Sequence, residues 1–146
     1  KQAGVIILIT GAGGSFGAVL KSLDLSTVIN FDAANPYFGL IFSFLFAALI
    51  KSAQGSSTVA ILTTSSFVLP LLISFGIDDS LGRLFTVLAI GSGAMTLSHV
   101  NDSYFWVVIK SLGLNVTQGL TSFSLATFFQ GITGISTVLL LYALLR

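Results

Sequence analysis

The sequence predicts an all-α membrane protein, a polytopic helical bundle with a re-entrant helical hairpin and a broken transmembrane helix. Of the 146 residues, 54% are hydrophobic and 8% are charged, and the mean hydropathy is +1.01. Soluble domains carry about 25% charged residues, so six basic and five acidic side chains are too few for a globule of 15.3 kDa in water. Several of the uncharged stretches approach or exceed the length of about 20 residues that a helix needs to cross a bilayer. Runs such as 68–73 and 138–145 do not alternate in polarity, as the strands of a membrane barrel would.

The same composition excludes several classes of function. A net charge of +1 from scattered residues does not suit nucleic-acid binding, which needs a clustered basic face. With no cysteine, the sequence offers neither disulfides nor a thiolate metal site, and it contains no spacing typical of metal ligands. We therefore expect no nucleic-acid partner, no metal and no cofactor.

The first predicted helix, 3–20, carries four glycines in the sequence GAGGSFG at 11–17. We prefer to interpret this cluster as close packing or a flexible break in a membrane helix, with a direct role in a substrate path as an alternative. The apolar run before the cluster and Asp32, about 20 residues further on, also resemble a dinucleotide-binding turn. That alternative needs a soluble enzyme with alternating strands and helices, which the composition disfavours.

Residues 36–76 predict the helical hairpin. Its first apolar segment, 36–50, would be about 22 Å long as a helix, against about 30 Å of hydrocarbon. The polar sequence KSAQGSST at 51–58 follows, and then a second apolar run. We expect the chain to enter the membrane, turn near Gly55 and leave on the same side. The alternative is a pair of tilted helices that span the membrane thinly and share a polar turn.

The hairpin tip is the first candidate for substrate binding. A helix that begins near Ser56 would present free N–H groups and the positive end of its dipole, which favour an anion. In the alternative interpretation, the hydroxyl groups at the tip only cap this helix. The predicted substrate-binding residues of the tip are Gln54, Gly55, Ser56, Ser57 and Thr58.

Lys51, just before the tip, also has two interpretations. Its ammonium group could pair with a substrate carboxylate, or its long side chain could extend to the membrane interface from a short helix. From the sequence alone, we prefer the interface.

The predicted broken helix, 84–112, consists of two half-helices, 84–97 and 104–112, with the sequence SHVNDS at 98–103 between them. An ionisable group at membrane depth is costly and indicates a functional site. We predict that Ser98, Asn101 and Ser103 bind substrate and that Asp102 and His99 couple transport to protons. A buried carboxylate favours its neutral form, and histidine exchanges a proton near neutral pH. The alternative is a polar network that only holds the break in shape.

The last predicted helix, 119–145, is a plain membrane span. Its sequence GITG at 131–134 indicates a close contact between helices rather than a binding site.

In their order along the chain, GAGGSFG, AQGSSTVA (53–60) and LSHVNDSYFW (97–106) resemble the C-terminal part of the gluconate permease family. The resemblance covers essentially the whole chain. It implies a multi-pass protein of the bacterial inner membrane that transports a small sugar acid by proton-coupled symport. It also implies inverted repeats, each with a re-entrant hairpin and a broken helix. D-serine permeases belong to the same family. The tip reads GSST where we expect GSAT in many relatives, so the hydroxyl of Ser57 could change the substrate preference.

The resemblance further implies that residues 1–146 form the C-terminal membrane repeat of a longer transporter whose N-terminal part is missing. The expected partners are then the lipid bilayer, a gluconate-like organic anion, protons and that N-terminal part; a homo-oligomer is left open. We expect no enzymatic activity. The alternatives are a transporter of another small organic anion or of an amino acid such as D-serine, and a structural membrane subunit with continuous helices through 51–58 and 98–103.

Overall fold

The computed structural model describes residues 35–146, together with Gly4, Ile7, Leu8, Gly11 and Ser15, which are helical. The rest of the predicted helix 3–20, including most of its glycine cluster at 11–17, lies outside the described residues. Every regular element within 35–146 is helical, which confirms the all-α fold class.

Helix α1 spans Pro36–Gln54. Asn35 caps its start by accepting a hydrogen bond of 3.0 Å from the backbone N–H of Tyr37. The helix ends where Gly55 adopts a φ of +68° and donates its N–H to the carbonyl of Lys51 at 2.7 Å. At 19 residues, or about 28 Å, the helix is longer than the apolar segment 36–50. The prediction that this helix is too short to cross a membrane is therefore wrong, since residues 51–54 remain helical.

Helix α2 spans Ser57–Val68 and continues as a 3₁₀ turn over Leu69–Leu71. Because Gly55 and Ser56 alone separate α1 from α2, the two helices form a hairpin. The ring of Phe67 on α2 stacks on Phe46 of α1, with 4.6 Å between the ring centroids. Helix α3 spans Ser80–Ala94, and Asp79 caps its start by accepting from the N–H of Gly82 at 3.2 Å.

A non-helical segment, residues 95–102, separates α3 from helix α4, which spans Ser103–Ser111. The final helical stretch is assembled from three parts: α5 at Val116–Gly119, a π-helical turn at Leu120–Ser124 and α6 at Leu125–Leu145. The predicted plain span at 119–145 thus contains a π-helical turn, which inserts an extra residue per turn and is often found at functional sites.

Helix α3 packs between α1 and α6. Glycines allow the close approach: a Cβ at Gly93 would collide with the carbonyl of Phe44 on α1, and a Cβ at Gly131 would collide with Thr96. A Cβ at Gly134 would likewise collide with Ser92 on α3. This confirms that the sequence GITG marks a close helix contact. The main hydrophobic core consists of Leu40, Phe44, Val68, Leu71, Leu72, Phe75, Ile77, Phe85, Ala89, Ile135, Val138 and Tyr142.

Within the described part of the chain, two helical stretches are long and apolar enough to cross a membrane. They are Pro36–Gln54 and Val116–Leu145, with mean hydropathies of 1.6 and 1.8. The apolar helices Ser57–Leu71 and Ser80–Ala94 are shorter. Large apolar side chains are exposed along these helices, which is typical of surfaces that face lipid or another protein segment. The re-entrant path of the hairpin and the crossing of a broken helix through the membrane stay predictions.

Gly131→Ala is expected to lower the melting temperature of the purified protein in detergent. The added methyl group collides with Thr96, two residues beyond the end of α3, and overpacking of this kind costs about 1–3 kcal/mol. Gly91→Ala is the matched control, because no described atom lies within 4 Å of its added Cβ and alanine favours a helix over glycine. Equal melting temperatures for the two variants would contradict the close packing.

Candidate functional site

Two interruptions of the helices meet in the structure: the α1–α2 turn (Gly55 and Ser56) and the α3–α4 junction (residues 95–102). Gly55 is buried against the backbone of the junction, and a Cβ at this position would overlap the carbonyl of Asn101. The side-chain amide of Asn101 donates to the carbonyl of Ala53 at 2.7 Å and to that of Ser52 at 3.3 Å. Asn101 therefore satisfies carbonyl groups that the end of α1 leaves without helical partners.

His99 adds to the same connection between the junction and α1. Its Nε2 lies 3.2 Å from the carbonyl of Ser52, and its Nδ1 accepts from the backbone N–H of Asn101 at 3.3 Å. A neutral ring that carries its proton on Nε2 satisfies both contacts, because Nε2 can then donate while Nδ1 accepts. The ring of His99 thus helps to position the junction.

The centre of the site is a buried ion pair between Lys51 and Asp102. The Nζ of Lys51 lies 2.6 Å from Oδ2 of Asp102, and their side chains are 3% and 7% exposed. The preferred interpretation that Lys51 extends to the membrane interface is therefore wrong. A buried carboxylate stabilises the ammonium group where it lies, in the last turn of α1, whose dipole also favours a cation.

Asp102 has two further partners that hold its carboxylate in place. Oδ1 accepts from the backbone N–H of Tyr104 at 2.9 Å, which caps the start of α4, and Oδ2 accepts from the hydroxyl of Ser98. Ser98 is held in turn by α6, because its N–H donates to Oγ1 of Thr127 at 3.0 Å. The ion pair therefore links α1, the junction, α4 and α6.

A cavity of about 220 Å³ lies beside this pair. Its polar lining residues supply a cation, a carboxylate, hydroxyl groups and an amide, and two of them, Tyr104 and Gln130, are exposed. Such a mixture suits a small polar anion, whose carboxylate needs a cation and whose hydroxyl groups need hydrogen-bond partners. The lining residues are Lys51, Ser57, Met95, Ser98, Asp102, Tyr104, Phe123, Thr127 and Gln130.

The cavity brings together only part of the predicted site. Ser57, Ser98 and Asp102 line it. Ser56 instead caps α2 by accepting from the N–H of Val59 at 3.4 Å. Gly55 is buried in the turn. The predicted residues Gln54, Thr58, Asn101 and Ser103 are exposed on the surface of this chain.

Sequence reasoning missed Tyr104, Thr127 and Gln130 as lining residues. Thr127 and Gln130 are three positions apart, and this spacing places polar side chains on one face of an otherwise apolar helix. This spacing is the feature of the sequence that could have identified Thr127 and Gln130. No group of three or more His, Asp or Glu side chains that could hold a metal occurs among the residues that the structure describes.

The comparisons with known proteins agree on one family. A family profile described as GntP family permease matches residues 1–145. The chain is 33% identical over 137 residues to a gluconate permease of Pseudomonas aeruginosa, an alignment that covers 93% of this chain and 30% of the relative. It is 36% identical over 133 residues to the inner membrane permease YgbN of Escherichia coli, covering 90% and 29%. The D-serine transporter DsdX of Escherichia coli is 31% identical over 137 residues, covering 93% and 30%.

The chain thus spans less than a third of the length of the curated relatives that it matches. No solved structure matches it significantly. Permeases are transporters and not enzymes, so the interpretation of the glycine cluster as part of a soluble dinucleotide-binding enzyme is wrong. The chain belongs to the GntP permease family.

Proposed function

We propose that the chain is the C-terminal membrane repeat of a transporter that moves gluconate or a related small sugar acid together with protons across a bacterial inner membrane. The observation that carries this proposal is the cavity beside the buried Lys51–Asp102 pair, placed where two helix interruptions meet. Charged side chains surrounded by lipid and protein are costly, and in transporters they mark substrate and ion paths. Membership of a permease family, with relatives named for gluconate, supports the same conclusion.

The lining of the cavity matches the chemistry of a sugar acid. Lys51 supplies the positive charge for the carboxylate, and the hydroxyl groups of Ser57 and Thr127 and the amide of Gln130 can bond the hydroxyl groups of the substrate. Asp102 is the candidate for proton binding. His99, which we also predicted for this role, holds the junction through its two ring contacts.

In the membrane, the hairpin of α1 and α2 is proposed to be re-entrant. Ser57–Leu71 would cover about 22 Å, less than the hydrocarbon thickness of about 30 Å, which favours a return to the side of entry. Helices α3 and α4 would then form the two halves of a broken helix. Non-helical backbone at this depth is tolerated where protein or a water-filled cavity surrounds it, as in many secondary transporters.

The N-terminal part of the transporter is proposed to close the open side of the cavity. The exposed residues Gln54, Thr58 and Ser103 lie beside the two interruptions and are available to that part or to the far side of the substrate. Asn101 is also exposed, but its amide N–H groups bind the end of α1. In an inverted-repeat architecture, each repeat contributes one hairpin and one broken helix to a shared site. This chain would supply half of the site.

Uptake of labelled solutes into proteoliposomes that contain the full-length transporter tests the proposal. We expect gluconate to be accumulated when the outside is more acidic than the inside. Ser57→Ala should weaken the apparent affinity about fivefold to tenfold, the effect of one lost hydrogen bond of about 1 kcal/mol. Ser66→Ala, the same change further along α2 and outside the cavity lining, is the control. Wild-type protein that takes up none of the sugar acids offered would refute the function.

D-serine is the second candidate substrate, because one relative is named as a D-serine transporter. An amino acid carries an ammonium group beside its carboxylate, so it would need an acceptor near Lys51, for which Asp102 is placed. Competition by D-serine against labelled gluconate in the same vesicles distinguishes the two substrates.

A further inference from the structure

We infer that the substrate carboxylate and Asp102 compete for Lys51, and that Asp102, once displaced, takes up the transported proton. The inference rests on the proposed function and adds the link between substrate binding and proton binding. It names Lys51 as the residue that both anions share.

Lys51 is the one buried cation in the part of the chain that the structure describes. The side chains of Arg83, Lys110 and Arg146 are exposed. Within the described residues, Lys51 is therefore the positive partner for an anion that enters the cavity. That partner is already occupied, since Asp102 lies 2.6 Å from Nζ and lines the same cavity.

Displacement leaves the carboxylate of Asp102 buried and without a counter-ion. An isolated buried charge is strongly unfavourable, and such a group neutralises instead by taking a proton. The remaining contacts accommodate the neutral acid. The N–H of Tyr104 still donates to one carboxyl oxygen, and Ser98 can rotate its hydroxyl and accept from the protonated one.

The charges balance through this exchange. In the empty site, the ammonium of Lys51 and the carboxylate of Asp102 sum to zero. In the loaded site, the same ammonium faces the substrate carboxylate, and Asp102 is a neutral acid. The loaded site therefore carries one anion and one added proton with no net change in charge. This avoids an uncompensated charge in a low-dielectric surrounding.

The other groups around Asp102 are not placed to bind the transported proton in its stead. The titratable side chains that line the cavity with Asp102 are Lys51 from α1 and Tyr104 from α4, while α2 and α6 contribute the uncharged side chains of Ser57, Thr127 and Gln130. His99 lies three residues from Asp102 within the junction and outside this lining. Both ring nitrogens of His99 are engaged with Ser52 and Asn101 rather than with the carboxylate.

The first test measures gluconate binding to the full-length transporter in detergent at a series of pH values. In the wild type, the affinity should rise up to tenfold for each unit by which the pH falls, as expected for binding coupled to one proton. In weakly buffered solution, a pH indicator should report about one proton taken up per gluconate bound. Asp102→Asn should bind gluconate with an affinity that does not change with pH. Asp78→Asn, which alters a carboxylate paired with the exposed Arg83, should behave as the wild type.

Transport in proteoliposomes completes the test. Asp102→Asn should exchange internal for external gluconate but should lose accumulation driven by a pH gradient. His99→Gln should keep the pH dependence of binding. Two results would overturn the inference while leaving the proposed function intact. One is gluconate binding by the wild type with no proton uptake. The other is a pH dependence of binding that survives in Asp102→Asn and disappears in His99→Gln. A wild type that neither binds nor exchanges gluconate would overturn both.

Discussion

Lys51→Met in the full-length transporter is expected to abolish gluconate exchange and to destabilise the folded protein by about 3–5 kcal/mol. The protein is destabilised because the change leaves Asp102 buried without its partner. Removing one member of a buried ion pair costs about 3–5 kcal/mol. The loss of exchange follows because the cavity no longer holds a cation for the substrate carboxylate. Thermal unfolding in detergent and exchange in proteoliposomes measure the two effects.

A double variant separates the effect on folding from the effect on transport. Lys51→Met combined with Asp102→Asn removes both charges, while asparagine keeps a side-chain oxygen that can cap α4 at the N–H of Tyr104. We expect the double variant to recover most of the lost stability but not the exchange. Lys110→Met removes an exposed lysine that lies 5.9 Å from the ring of Trp106, and it should stay close to the wild type in both assays. Full exchange by Lys51→Met would contradict its placement in the site.

Gly55→Ala should have the second largest effect, because it forces apart the two interruptions that form the site. The added Cβ overlaps the carbonyl of Asn101, and the φ of +68° is itself unfavourable for alanine. Relief requires the α1–α2 turn to move from the junction, which breaks the hydrogen bond from Asn101 to Ala53. We expect a loss of about 2–4 kcal/mol in stability from strain and overpacking together, and little remaining gluconate exchange.

Gly113→Ala is the matched control for Gly55→Ala. Gly113 has nearly the same φ, +66°, but no described atom lies within 4 Å of its added Cβ. Gly113→Ala therefore carries the left-handed strain of about 1–2 kcal/mol without the collision. If both variants lowered the melting temperature equally, the contact between the turn and the junction would not contribute to stability.

The positions of both interruptions were predictable from residue type alone. Glycine, serine and asparagine are poor helix formers, and serine, asparagine and aspartate offer the backbone competing hydrogen bonds. Within the described residues, Gly55 ends α1 and Asp102 caps α4, as these local preferences favour. The length of α1 was less predictable. Residues 51–54 are polar, and part of what satisfies the end of their helix is Asn101, a side chain from a distant part of the chain.

By itself, then, the sequence determined that the chain is helical and apolar, where its helices are interrupted, and to which family it belongs. These properties depend on composition, local conformational preference and motif. Only the tertiary structure decided that Lys51 and Asp102, 51 positions apart, share one ion pair. Viewed alone, a lysine near the end of a helix is most easily satisfied at the membrane interface. Its burial becomes favourable only when packing brings in a carboxylate whose charge compensates for the loss of hydration. No local sequence pattern predicts such a partner.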